Sequence, residues 1–154
     1  MSELQKPCYI CGRIQLWREG QNPHFIYEFE HSIFVLGEHQ FHPGYSLILL
    51  KNHIRELHEL PLDVQTALFQ EVMTATKAIV RTFRPWKMNH SCYGNAEPHI
   101  HWHLFPRYDT KPDHTNHPWL HASEFKDNVI DLSEAQRLIH SIQQDLAAVM
   151  SEGK

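Results

Sequence analysis

One stretch limits what this chain can fold into more than any other: Pro98-His99-Ile100-His101-Trp102-His103-Leu104-Phe105-Pro106-Arg107. Three histidines alternate with large apolar residues. On a helix, residues two apart point to different sides. On a β-strand they share a side, so the pattern predicts a strand with His99, His101 and His103 on one face. Ile100, Trp102 and Leu104 then share the other face and pack on a core. Pro98 and Pro106 fit the strand ends, where a missing N–H costs least. Three neighbouring imidazoles, each with a reference pKa of about 6.5, repel if all are protonated. The face must therefore be mostly neutral, or be shared with an anion or a metal. The plainer alternative is a solvated, histidine-rich strand.

At 154 residues the chain is expected to form a single domain over 1–154. Apolar residues make up 42% and charged residues 21%, as in ordinary globular proteins. A net charge of −4 gives no basic footprint for a nucleic-acid polymer. No apolar run approaches the length of a membrane span. Met1–Lys6 lacks a signal-peptide core, which points to the cytoplasm. Three cysteines, an odd number, argue against a disulfide framework.

Patterning predicts the remaining elements. Phe25–Glu30 and Ser32–Leu36 read as short strands, and Tyr45–Leu50, nearly all apolar, as a central strand covered on both faces. From Asp63, a cap candidate, Val64, Leu68, Val72, Ala75, Ile79 and Phe83 form one apolar stripe of a long helix that stops before Pro85. Lys87–Tyr93 alternates as a strand, and Gly94-Asn95 turns it back toward the histidine strand as a hairpin. Residues 109–128, with two prolines, read as a long irregular segment, usually functional or mobile. Ser133-x-x-Gln136 reads as a capping box opening a C-terminal amphipathic helix. The fold class is α+β: an antiparallel sheet of about five strands, one long helix and a C-terminal helix, with the helices on one side.

Cys8-x-x-Cys11-Gly12 supplies two thiols that could grip one Zn²⁺ from a tight turn. A redox pair or inert thiols are the alternatives. The redox reading wants a helix start within a βαβ unit, whereas Arg13–Trp17 reads as a strand. Cys92, among apolar and aromatic neighbours, reads as a small buried residue.

The run His99-Ile100-His101-Trp102-His103-Leu104-Phe105, with Pro106-Arg107 after it, resembles the signature of the histidine triad (HIT) family of nucleotide hydrolases and nucleotidyl transferases. The resemblance covers about residues 8–107 and implies the HIT-like fold and a nucleotide substrate. It implies that His101 is the nucleophile, forming a covalent nucleotidyl-histidine, and that His103 donates to a phosphate oxygen or the leaving oxygen. It places a structural zinc on Cys8, Cys11, His53 and His99, and implies a homodimer. Asn89 matches an asparagine that contacts phosphate, and Asn95 stands where many relatives have glutamine. The ribose-binding acid of relatives aligns with Gly37, so Glu38 next to it is the candidate. Phe34, Phe41 and Ile33 are candidates to sandwich the base, though such residues are more often plain core. Ala96 replaces a serine that assists the leaving group, which weighs against a phosphoramidate substrate more than against a dinucleoside polyphosphate. The rivals are nucleotidyl transfer, whose enzymes usually carry Gln where His103 stands, nucleotide binding without catalysis, and a catalytic metal on the three histidines.

Overall fold

The computed structural model describes residues 7–153; Met1–Lys6 lies outside them. Among the described residues the order is α1 (Tyr9–Arg18), β1 (Phe25–Glu28), β2 (Ser32–Leu36), β3 (Ser46–Leu50), α2 (Leu62–Phe83), β4 (Lys87–Ser91), β5 (His101–Arg107) and α3 (Leu132–Glu152). The α+β class is as expected. The five strands form one antiparallel sheet in the order β1-β2-β3-β5-β4. β3 is central, and both its neighbours run antiparallel to it.

Strand register sorts the side chains into two faces. Phe34 pairs with Ile48 and Ile48 with Trp102, while Ser46 pairs with Leu104. Phe34, Ile48 and Leu104 pack with Leu68, Val72, Ile79, Ile139 and Ile142 of α2 and α3. On the opposite face, Leu49 pairs with His101 and Leu47 with His103. The two catalytic candidates thus stand on the face turned away from the long helices, over a floor shared with Ile33, Val35 and Leu49.

The helices are not all on one side. The stretch read as a strand, Arg13–Trp17, belongs to α1, which covers the site face through Ile10 and Ile14. These two residues are four apart, a helical spacing that the local Ile14/Leu16 alternation masks. The Cys8 thiol caps α1 by accepting the Cys11 N–H at 3.3 Å, so the Cys-x-x-Cys pair opens a helix rather than a tight turn.

Three boundaries also differ. α2 starts at Leu62 behind Pro61, with Asp63 inside its first turn rather than capping it. α3 is capped by Asp131, whose carboxylate accepts the Glu134 N–H at 2.8 Å, not by Ser133. β5 starts at His101, and Pro106 lies within it, beyond the last residue paired to β3. Of 109–128, residues Pro118–Asn128 form 3₁₀ turns kinked at His121. They fold back over the site face, where Phe125 and Trp119 pack with Phe41, Tyr45 and Phe105.

Candidate active site and metal-binding cluster

A cleft of about 460 Å³ opens on the site face. Leu47 and Leu49 of the sheet and Ile10 of α1 form an apolar slot. Tyr9, Arg13 and Glu38 stand along it, the Tyr93–Glu97 turn closes another side, and His101, His103 and Trp119 complete the wall. Two of the three strand histidines therefore reach the cleft. His99, which precedes β5, is fully buried outside it.

The two cleft histidines have different hydrogen-bond partners. Nδ1 of His101 lies 2.6 Å from the His99 carbonyl oxygen, so Nδ1–H donates there and the Nε2 lone pair is left over. Nδ1 of His103 lies 2.7 Å from the Tyr45 hydroxyl. Burial pushes the Tyr45 hydroxyl up, so it keeps its proton. Burial first, and then the neighbouring His101 and His39, lower the His103 pKa to about 3. A neutral His103 can accept the phenol proton at Nδ1, which puts its own proton on Nε2, or can donate Nδ1–H to the phenol oxygen. The two rings stand 4.9 Å apart between centroids, and with Nδ1 of His103 accepting from Tyr45 one would offer an electron pair and the other a proton.

Gly37 is what admits Tyr45. A Cβ at position 37 would lie 2.2 Å from the Tyr45 ring. A ribose-binding acid cannot stand there, and Glu38 takes the cleft position instead. Its carboxylate accepts from the Tyr9 hydroxyl at 2.9 Å and pairs with Arg13 at 3.1 Å.

The remaining candidates divide. Asn95 and Glu38 both line the cleft. Asn89 lies on the site face but accepts from Arg107 at 2.9 Å and lines an adjoining groove. Phe34 belongs to the core under α2 and α3, fully buried, on the face away from the cleft. Ile33 is fully buried beneath α1. Phe41 packs in the aromatic cluster under the 118–128 turns, against His121 and Phe125, rather than in the cleft. Sequence reasoning missed Tyr9, Arg13, Tyr45 and Trp119. Tyr45 read as the start of an apolar strand, and Trp119 sits in a segment without periodicity.

Behind His101, the ligand atoms of Cys8, Cys11, His53 and His99 lie within 4.8 Å of one another. Cys8 Sγ to His99 Nδ1 is 3.5 Å, Cys11 Sγ to His99 Nδ1 is 3.4 Å, and Cys11 Sγ to His53 Nδ1 is 3.2 Å. Ligands held ~2.0–2.3 Å from a tetrahedral ion are spaced about 3.5 Å apart. His99 also donates Nε2–H to the Leu50 carbonyl at 2.7 Å, which leaves Nδ1 bare on the cluster side. The four residues can therefore hold a metal ion. All three cysteines are free thiols.

A His-x-His pair presented into a cleft from an α+β sheet, with a third histidine behind it, is the arrangement that the histidine triad resemblance implies. The HIT domain family model matches residues 18–110, and the chain belongs to the HIT family of nucleotide-binding hydrolases and transferases. It is 29% identical over 130 residues to "Protein hit" of Bacillus subtilis, covering 80% of this chain and 85% of that one. It is 26% identical over 157 residues to "Adenylylsulfatase HINT3" of Arabidopsis thaliana, covering 98% and 75%. A Zn-bound histidine triad protein of Mycobacterium smegmatis superposes with a TM-score of 0.66 at 21% identity, covering 95% of this chain and 97% of that one.

Proposed function

We propose that the protein hydrolyses nucleotides at the α-phosphate through a covalent intermediate on His101. The observation that carries this reading is the His101 Nδ1–H bond to the His99 carbonyl, which fixes the tautomer with a free Nε2 lone pair at the cleft. Nε2 attacks the α-phosphorus and the bond to the leaving oxygen breaks, that oxygen taking the electron pair. The nucleotidyl-imidazole so formed keeps its Nδ1 proton against the carbonyl. Water then adds at phosphorus, loses a proton and frees His101 with a nucleoside monophosphate. His103 donates Nε2–H to a phosphate or leaving oxygen, where negative charge develops.

The apolar slot suits the flat face of a base, and Glu38 suits the ribose hydroxyls. A relative named as an adenylylsulfatase supports a substrate cleaved at an adenylyl phosphorus. The metal of the four-residue cluster is in this reading Zn²⁺, since two thiols and two imidazoles are its preferred closed set. It is structural, fixing α1 and the approach to β5. β1 and β4, the two sheet edges, are the places where a homodimer would extend the sheet. No described helix is long and apolar enough to cross a membrane.

Substitution of His101 by Asn tests the reading. Steady-state rates on adenylyl sulfate and diadenosine triphosphate should fall ~10³-fold or more, with the circular dichroism spectrum retained. Wild-type rates from a folded variant would dismiss the nucleophile.

A further inference from the structure

Glu38 reaches the cleft on a side chain with several rotatable bonds, and its backbone fixes only the root. There the Glu38 carbonyl accepts the Ile130 N–H at 3.2 Å. What aims the carboxylate is α1. We propose that Tyr9 and Arg13 are positioning residues that turn one oxygen of Glu38 toward the ribose, so that the cleft selects ribonucleotides over their deoxy counterparts. This clamp rests on the reading above, in which Glu38 meets the ribose hydroxyls.

Tyr9 and Arg13 lie four residues apart, so they share a side of α1. The Tyr9 hydroxyl donates to Oε1 of Glu38 at 2.9 Å, and Arg13 pairs with the same oxygen at 3.1 Å. A carboxylate has about four lone-pair sites, divided between its two oxygens. The clamp occupies those on Oε1 and leaves those on Oε2, which suffice to accept two neighbouring hydroxyls.

The clamp is itself held in place. The Arg13 guanidinium lies over the Tyr9 ring, 5.9 Å from its centroid. The Tyr9 N–H donates to the Glu97 carboxylate at 3.0 Å. Ile10 and Ile14 seat the helix on Ile33, Val35 and Leu49. The Arg13 side chain is 17% exposed and that of Glu38 46%. The cation is therefore scaffolding beside an acid that keeps an open side.

Charge and aim have separable effects. Arg13 offsets the negative charge of Glu38, which would otherwise repel the nucleotide phosphate. That effect acts alike on every nucleoside monophosphate. Aim acts only on a ligand that carries ribose hydroxyls.

Calorimetric titration with adenosine monophosphate and with dideoxyadenosine monophosphate, which lacks both ribose hydroxyls, tests the clamp. Wild type should bind the first about tenfold more tightly, the value of a hydrogen bond to a charged acceptor. Arg13→Met should weaken both ligands and narrow their ratio by about threefold. Tyr9→Phe keeps the ring and changes no charge, so it should narrow the ratio with little change for the dideoxy ligand. A helix that is merely loosened weakens both ligands and leaves the ratio intact. A wild-type ratio preserved in both variants overturns the clamp alone. A wild-type ratio near one overturns the ribose role of Glu38 and the clamp with it, and leaves the attack by His101 standing. Binding of neither ligand to wild type overturns the nucleotide reading itself.

Discussion

Tyr45 and His103 show how a single hydrogen bond assigns a role. In the proposed mechanism the Tyr45 hydroxyl, 2.7 Å from Nδ1 of His103, donates there and holds the ring's proton on the far nitrogen. Tyr45→Phe removes that control while sparing the apolar packing with Phe105 and Phe125. The expected result is a fall in kcat of about tenfold with KM nearly constant, since the lost interaction develops during the reaction. An equal rise in KM would mark Tyr45 as a packing residue only. The depressed pKa of His103 also has a consequence for stability. The folded state disfavours its charged form, so the unfolded chain binds more protons below pH ~6.5. Stability is whole above that pH and declines as pH falls toward the folded value of about 3. The slope is at most ~1.4 kcal/mol per pH unit for this ring. His39, lowered to about 4 chiefly by burial, acts in the same direction. Urea midpoints measured from pH 7 to pH 5 should fall in wild type and fall less steeply in His103→Asn. Equal slopes would remove His103 from the account.

At the scale of elements, α1 links the Cys8, Cys11, His53 and His99 cluster to the cleft. Its first turn carries Cys8 and Cys11, and the same helix turns Tyr9, Ile10 and Arg13 into the cleft wall. If the cluster holds the proposed zinc, removing it should therefore loosen substrate binding more than it slows chemistry. With a chelator, or in Cys8→Ser, the melting temperature should drop and KM for nucleotide should rise several-fold, while kcat changes less. Loss of kcat with KM intact, in protein that stays folded, would instead indicate a metal acting in the reaction. α1 is also where sequence reading went furthest astray. Two thiols, one of them the capping sulfur, leave few ordinary helix-start signals, and the apolar Ile14 and Leu16 imitate a strand. α2 and α3 were legible because each runs for several turns with an unbroken stripe. The 118–128 turns were not, because Trp119 and Phe125 act through contacts with residues far away in the chain.

Across the whole molecule, the sheet divides labour between its faces. One face is packed against α2 and α3 by Phe34, Ile48 and Leu104, and makes the frame. The other carries His101 and His103 beneath α1 and the 118–128 turns, and makes the site. The alternation of His101, Trp102, His103 and Leu104 announced that division, which is why the strand and the two cleft histidines could be read in advance. The pocket around them could not. Gly37, Tyr45, Glu38 and Arg13 become one site only after the sheet register and the packing of α1 bring them together. The central claim concerns a single ring nitrogen, and one measurement reaches it directly. Intact-protein and peptide mass spectrometry after a brief, acid-free quench with adenylyl sulfate or diadenosine triphosphate should show one added adenylyl group on His101. The His101→Asn protein should show none. An adenylyl group on another residue, or rapid turnover in which no adduct forms at His101 under any quench time, would contradict the account.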